Sequence, residues 1–199
     1  METVTYPELG SSAHFALFTS LKNPGALRER IIKAATLEGK DGDKERAAVN
    51  FGFIDARLIT SRLHLQTAIY QALLAEAQKT LRTKTVHSEI LWVLNPTNNI
   101  TEALRRFGVS ESTQSLVVVH VCQTGVSGES VSQQMSEIVA GDLQPMDALA
   151  KVTDWPAVKK YYKLNNEQAV KALKDDAEGE RNAVDNIVVS SVAMKNVMG

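Results

Sequence analysis

The spacing of apolar residues alternates between strand-like and helix-like along the chain. The run His14 to Thr19 is short, apolar and aromatic, and it predicts the first strand. Val49, Phe51 and Phe53 alternate with other residues and predict a second. Nearly every position from Leu116 to Val121 is apolar. This pattern predicts a strand in the middle of a sheet, covered on both faces.

Helical spacing separates these strands. Asn23 and Pro24 suit the start of a first helix whose predicted inward stripe is Leu27, Ile31, Ile32 and Ala35. Ser61 precedes a long apolar helix that we expect to be heavily buried, with Leu63 among its core residues. The charged segment LEGKDGDKER lacks periodicity and predicts a surface loop.

A short helix, TVHSEILWVL, is expected to end at Asn95-Pro96. In the next one, Asn99 and Glu102 have the spacing of a capping box. Gly108 is predicted to be the left-handed residue after that helix, whose inward stripe would be Ile100, Leu104 and Phe107.

The final segment, AVDNIVVSSVAMKNVM, carries apolar residues around more of a helix than one contact surface needs. Strands in the first two thirds and helices throughout predict a mixed α/β (α+β) fold. We expect a single small β-sheet packed with many helices, forming a single domain over residues 1–199.

Overall charge gives the chain no general attraction to polyanions. Lys and Arg total 22 and Asp and Glu total 23, a formal net charge of -1. Any contact with nucleic acid must therefore come from a local basic patch, and no association with a membrane is expected. The candidate arginines are Arg57, Arg62, Arg105 and Arg106, although charged clusters of this kind are commonly just solvated surface.

Motifs for catalysis are missing from the sequence. It contains no glycine-rich nucleotide motif, and its four histidines lack metal-ligand spacing, so we expect neither a cofactor nor a metal. Cys122 lies in an apolar run typical of an unreactive thiol. His64 is interpreted as a core histidine bonded to a backbone carbonyl. The alternative is an enzyme that uses His64 or Asp55 in a deep polar pocket.

Several segments together resemble the PRPK-binding protein (TPRKB) family, the small kinase-binding subunit of the KEOPS (EKC) complex. They are FALFTSLKNPGALRERI, FGFIDARLITSRLHLQTAIYQAL, TVHSEILWVL, NNITEALRRFG and SSVAMKNVM. The length and the insert DWPAVKKYYKL resemble those of fungal members.

This resemblance implies a non-enzymatic subunit that binds and supports the atypical small kinase of KEOPS, in the nucleus and cytoplasm. The complex makes threonylcarbamoyl-adenosine in tRNA. Contact between this subunit and the other KEOPS subunits would be indirect. Fungal members of the family are also linked to telomere maintenance. The archaeal branch helps capture the tRNA 3′ end, but the archaeal counterpart of NPTNNI is basic where this chain is not. A freestanding single-stranded RNA-binding protein is the alternative.

The resemblance also places the kinase contact on the C-terminal helix. The corresponding residues here are Val188, Ser191, Val192, Ala193, Met194, Val197 and Met198. Val188 and Val192 have a second interpretation, because both could belong to the protein's own core.

Overall fold

A computed structural model describes the backbone of residues 1–198 and the side chains of residues 1–196. The strands are β1 (Glu2–Tyr6), β2 (Ser11–Thr19), β3 (Gly52–Asp55), β4 (Leu116–Gln123) and β5 (Asp142–Gln144). The helices of the first half are α1 (Pro24–Thr36), α2 (Gly39–Ala48), α3 (Arg62–Ala77), α4 (Val86–Leu94) and α5 (Ile100–Phe107). Those of the second half are α6 (Gly128–Ile138), α7 (Leu149–Val152), α8 (Trp155–Tyr161), α9 (Gln168–Lys171), α10 (Ala177–Ala193) and α11 (Lys195–Met198).

The strands form one antiparallel sheet in the order β1-β2-β4-β3, and β5 pairs with the end of β2. Side chains along β2 alternate between the two faces of the sheet, with Phe15 and Leu17 on one face and Phe18 on the other. β4 lies between β2 and β3, and residues Leu116 to Val119 are completely buried. The prediction of a central strand covered on both faces is confirmed there.

Helices cover both faces of this sheet. The larger core contains buried residues of α3, α4, α5 and α10 together with one face of β2 and β4. The smaller core contains Leu27 of α1 and Val131 and Met135 of α6, packed with the opposite sheet face. The predicted mixed α/β fold, a small sheet with many helices, is confirmed. No helix in the described part of the chain combines the length and apolar character that a membrane span requires.

Local capping explains where the central helices begin. The Ser61 hydroxyl accepts the His64 amide at 3.0 Å at the start of α3. Thr85 and Ser88 form a reciprocal capping box at the start of α4. α4 ends before Asn95 and Pro96, as predicted. Leu63 corrects one expectation, because it is 57% exposed and lies outside the buried stripe of α3.

The predicted surface loop before β3 is wrong, because residues Gly39 to Ala48 form α2. This helix has no regular apolar stripe. The Arg46 guanidinium holds it against α1 by donating to the carbonyls of Ala34 and Leu37, at 3.1 and 2.7 Å. A Cβ atom at Gly42 would lie 2.1 Å from the Leu37 oxygen. The glycine that indicated a loop therefore permits a close backbone contact inside a helix.

The predicted inward stripe of α1 is also partly wrong. Leu27 and Ala34 are buried, whereas Ile32 and Ala35 face solvent. Leu27, Ile31 and Ala34 share the inner side because they are spaced by four and three residues. Ile32 and Ala35 have similar spacing but lie one residue further round the helix.

The helix α5 is confirmed, with two corrections to its details. Asn99 accepts the Glu102 amide at 2.9 Å, but the Glu102 carboxylate accepts from the Thr97 hydroxyl instead of completing a capping box. Gly108 has an extended backbone (φ -78°, ψ 166°) and not a left-handed one. It is required because a Cβ there would lie 2.3 Å from the Leu104 oxygen.

The predicted inward stripe of this helix is partly wrong, because only Phe107 of its three residues is buried. Ala103 and Phe107 are buried, while Ile100 and Leu104 are 39% and 46% exposed. Side chains four residues apart lie on one helical face, so the two exposed residues form an apolar strip on the surface.

Candidate partner-binding surface

The C-terminal helix α10 uses one side chain per turn to join the core. Val184, Val188 and Val192 are spaced by four residues and lie in the larger core. Val188 and Val192 are only 0% and 1% exposed. They therefore stabilise this protein's own fold and cannot touch a partner in this conformation, contrary to their inclusion among the predicted kinase contacts.

The remaining predicted contact residues of α10 lie nearer the surface. Ser191 and Ala193 are partly exposed, and Met194 just after the helix is 44% exposed. The side chains of Val197 and Met198 lie outside the described residues. Met194 is thus the most accessible predicted contact among residues 1–196.

Two polar contacts to α3 hold the end of α10 in place. The Gln71 side-chain amide donates to the Ala193 carbonyl at 3.1 Å, and its oxygen accepts from the Asn196 amide at 3.0 Å. One contact is made by Ala193, just before Met194 in the sequence, and the other by Asn196, just after it. They fix the backbone that presents this exposed side chain.

Lys195 anchors the same segment to the loop between α4 and α5. Its ammonium donates to the carbonyls of Asn95 and Thr97 at 2.7 and 2.8 Å, and lies 4.6 Å from the centre of the Trp92 ring. Carbonyls at a helix C-terminus attract a cation, as does the face of an indole. Burial lowers the pKa of Lys195 to about 8, so the amine is still mainly charged at neutral pH.

Two of the four predicted tRNA-binding arginines, Arg57 and Arg62, lie between β3 and the start of α3, and each is paired with a carboxylate. Arg57 forms a forked contact with buried Asp55, with a shortest N–O distance of 2.7 Å, and this hydrogen bond raises the pKa of the guanidinium. Arg62 lies 2.7 Å from Glu2 and 3.0 Å from Asp147. The charges of both guanidinium groups are therefore already paired with carboxylates of the protein.

The other two arginines lie on α5. Arg106 pairs with Glu102 and lies 4.1 Å from the centre of the Tyr161 ring. Arg105 is exposed, and within residues 1–196 no carboxylate lies within 4.0 Å of it. Arg106 therefore lies against Tyr161 with its charge paired, while Arg105 is the one of these four arginines that has no ion pair in the described part of the chain.

Comparison with known proteins bears directly on this surface. A family model described as "Kinase binding protein CGI-121" matches residues 18–196. The chain belongs to this family. It is 36% identical over 234 residues to the EKC/KEOPS complex subunit CGI121 of Cryptococcus neoformans var. neoformans, covering all of both chains. It is 34% identical over 216 residues to the subunit of the same name from Neurospora crassa, covering 99% of each. A third relative, from Gibberella zeae, is 31% identical over 207 residues and is also covered to 99%.

Membership of the CGI-121 family confirms the resemblance noted from the sequence, because the relatives carry the name of a KEOPS subunit. The matched range includes β3, β4, β5, α3 and the anchored segment around Met194, whereas β1 and most of β2 precede it. The exposed Met194 surface is thus part of the family domain and not an addition to it.

The side chains proposed for the enzymatic alternative make structural contacts instead. His64 Nδ1 accepts the Thr60 amide at 3.2 Å, and Nε2 lies 3.3 Å from the Tyr162 hydroxyl. The histidine is a core residue as predicted, but its partners are the amide and hydroxyl of Thr60 and the hydroxyl of Tyr162, not a backbone carbonyl. Burial lowers its pKa to about 3, which keeps the ring neutral.

His64 and Asp55 line neither of two surface clefts found among the described residues. One cleft is lined by Lys159, Val170 and neighbouring side chains, and the other lies beside Asn50 and His87. The described residues also contain no group of three or more His, Cys, Asp or Glu side chains placed to hold a metal ion.

Sequence reasoning missed Lys195, the residue that organises this surface. Its only signal was a single cation between Met194 and Asn196 in an otherwise apolar terminal segment. A lysine in such a position suggests either solvent or a specific acceptor, and only the fold brings the Asn95 and Thr97 carbonyls to it.

Proposed function

We propose that this chain is a non-catalytic subunit of KEOPS that binds and supports the complex's atypical small kinase of the PRPK family. The observation that carries the proposal is an anchored, exposed methionine at the end of α10 in a member of a kinase-binding family. Other KEOPS subunits would be contacted through the kinase. The chain would act in the nucleus and cytoplasm, in the pathway that forms threonylcarbamoyl-adenosine in tRNA.

The proposed kinase contact is centred on Met194 and includes Ser191 and Ala193, which precede it in the sequence; the family resemblance adds Val197 and Met198. Methionine adapts to an irregular partner surface, and small neighbours allow close approach. The Gln71 and Lys195 contacts fix the backbone before binding. Less conformational freedom is then lost when the complex forms.

A single charge substitution tests this contact. Met194→Arg would place a guanidinium in a desolvated interface, and we expect affinity for the purified KEOPS kinase to fall at least tenfold. Val126→Arg is the matched control, because Val126 is also 44% exposed but follows β4, remote in sequence from α10. Isothermal calorimetry gives both affinities, and thermal melting verifies that both variants are folded.

The possible outcomes distinguish two questions, whether the kinase is the partner and which surface of this protein binds it. Failure of the native protein to bind the kinase at micromolar concentration would contradict the proposed function. Equal binding by Met194→Arg and the native protein would keep the function and exclude this surface. Loss of binding by both variants would indicate that the contact is not confined to α10.

We extend the proposal to tRNA through Arg105, while Arg57, Arg62 and Arg106 could contribute only by exchanging their carboxylate partners. One lost phosphate contact to single-stranded RNA should reduce the slope of log affinity against log salt by about 0.7. We therefore expect Arg105→Gln to lower that slope for tRNA binding by the kinase complex, with exposed Lys40→Gln unchanged. RNA binding of equal strength without the kinase would instead favour the freestanding RNA-binding protein.

A further inference from the structure

The central strand β4 is longer than its neighbour β3. β3 pairs only with Leu116 to Val119, whereas β2 pairs with β4 as far as Gln123. Beyond Val119, no strand in the described part of the chain pairs with this edge of β4. This open edge is the segment from His120 to Gln123.

Two hydrogen bonds at the C-terminal end of β4 show which backbone groups face the open edge. The Val121 amide donates to His87 Nε2 at 3.0 Å and so points away from β2. The Thr124 amide donates to Gly10, on the β2 side, at 3.1 Å. Successive residues of an antiparallel strand direct their backbone groups to opposite sides. The Val121 carbonyl and both backbone groups of Gln123 consequently face the edge that lacks a strand.

A cleft of about 390 Å³ runs along this edge. Val121, Cys122 and Gln123 line one wall. The lining also includes Leu81, Lys84 and Thr85 from the segment between α3 and α4, and Val86 at the start of α4. The cleft therefore combines exposed strand groups with apolar surface and a lysine.

We propose that this cleft binds an extended peptide segment of a partner protein, which adds to β4 as an antiparallel strand in line with β3. Gln123 would exchange two backbone hydrogen bonds with the segment, and the Val121 carbonyl would accept a third. Addition of a strand to an open sheet edge is a recurrent mode of peptide recognition. The His87 ring occupies the next position of the ladder, so the segment must end or turn away there.

The lysine defines the chemistry of the peptide. Lys84 is exposed at the cleft, and the described residues give it no ion pair within 4.0 Å. It favours an acidic side chain in the segment, next to an apolar one that would contact Leu81 and Val86. Glu76 also lines the cleft, so the acidic side chain is expected beside Lys84 and away from this carboxylate.

This site is separate from the proposed kinase contact. His87 lies in the first turn of α4, and Lys195 binds beyond its last turn. A nine-residue helix is about 13 Å long, so the two surfaces lie at opposite ends of α4. Loss of peptide binding would therefore leave kinase binding unchanged, and the two proposals can fail independently.

The test uses a short synthetic peptide, acetyl-Thr-Asp-Val-Asp-Val-amide, titrated into the isotope-labelled full chain by NMR. We expect the amide signals of Val121 and Gln123 to shift together with those around Lys84. A version with alternate amides N-methylated cannot donate to the strand edge, and should bind at least fivefold more weakly. A version with Lys in place of both Asp residues should also bind more weakly.

A proline variant tests the same bonds from the protein side. Gln123→Pro removes an amide that the native sheet does not use, and edge strands tolerate proline. We expect about a fivefold loss of peptide affinity, whereas Gln123→Ala keeps the amide and should bind normally. If Gln123→Pro does not fold, the N-methylated peptide on the native chain provides the decisive comparison.

Three results would overturn the proposal. One is no shift at Val121 or Gln123 with millimolar peptide. Another is equal affinity for the N-methylated and unmodified peptides. The third is concentration-dependent self-association that involves the same amides without peptide, which would make a second copy of the chain the occupant.

Discussion

Acidification from pH 7.5 to 5.0 should destabilise this protein through two buried histidines, His64 and His87. Burial lowers the pKa of both rings to about 3, and for His87 the neighbouring His120 adds a smaller contribution. Each ring is held in the neutral form by its partners. His87 Nε2 accepts the Val121 amide, and Nδ1 lies 3.1 Å from the Asn50 side-chain oxygen. Protonation of Nε2 would turn it into a hydrogen-bond donor that faces the Val121 amide, which is also a donor.

The magnitude depends mainly on the unfolded chain, in which histidine has a pKa of about 6.5. Because the folded pKa lies lower, the unfolded state binds more protons as the pH falls through 6.5. The contribution of these two rings to the free energy of unfolding is therefore complete above pH 6.5, and it decreases progressively as the pH falls towards 3. At pH 5.0, about 1.5 units below the pKa of the unfolded chain, protonation of each histidine in that chain has lowered the free energy of unfolding by about 2 kcal/mol.

Urea unfolding at pH 7.5 and 5.0 measures this loss. We expect the native free energy of unfolding to fall by about 4 kcal/mol between the two values from these rings together. His87→Gln cannot titrate, so its own loss over the same range should be smaller by about 2 kcal/mol. The hydrogen bonds that lower the pKa values of Glu45 and Glu102 contribute chiefly below pH 5, outside this window.

A native stability that is equal at pH 7.5 and 5.0 would refute the assignment of these rings as neutral core groups. So would an unchanged pH dependence in His87→Gln, since the titrating group would then be elsewhere.

Three further predictions concern stability and local order. Lys195→Met keeps an apolar stem but loses two charged hydrogen bonds, so hydrogen exchange in the Asn95–Asn99 loop should accelerate and stability should fall by about 2 kcal/mol. Gly108→Ala should cost at least about 2 kcal/mol by chemical unfolding, because its Cβ would meet the Leu104 oxygen; Gly25→Ala, with its nearest atom at 3.7 Å, is the tolerated control. Val188→Ala should cost about 2 kcal/mol in the same assay, and a cost no greater than that of Val189→Ala would contradict the burial of Val188.

The strongest periodic segments were predictable because local sequence and tertiary environment agree in them. All three of β4, α3 and α4 have clear apolar patterns. The two helices also have effective N-terminal caps, Ser61 for α3 and Thr85 for α4. β1 was missed because residues 2–6 alternate only weakly and gain their ladder from β2. α2 was missed because its stabilising contacts come from Arg46 and a close approach at Gly42, which leave no apolar repeat.

The candidate site was less predictable because its properties depend on contacts between distant residues. A helix that is apolar on several sides does not reveal which side meets its own core, and so Val188 and Met194 could not be separated from the sequence. The carboxylates that pair with Arg62 are Glu2 and Asp147, far away in the chain on both sides. Charge counting treated Arg62 and Arg105 alike, although the fold neutralises only one of them in the described residues.

The pairing of β2 with β4 has a consequence for the order of folding. Ser11 meets Gln123 and Phe18 meets Leu116, so the middle of the sheet joins segments that are roughly a hundred residues apart. Closing so long a loop is entropically costly before other contacts exist. The contiguous pair α3 and α4 can form its contacts with only a short connection. We therefore expect this helical pair to acquire protected amides early in refolding, with the centre of the sheet following as the slower, cooperative event.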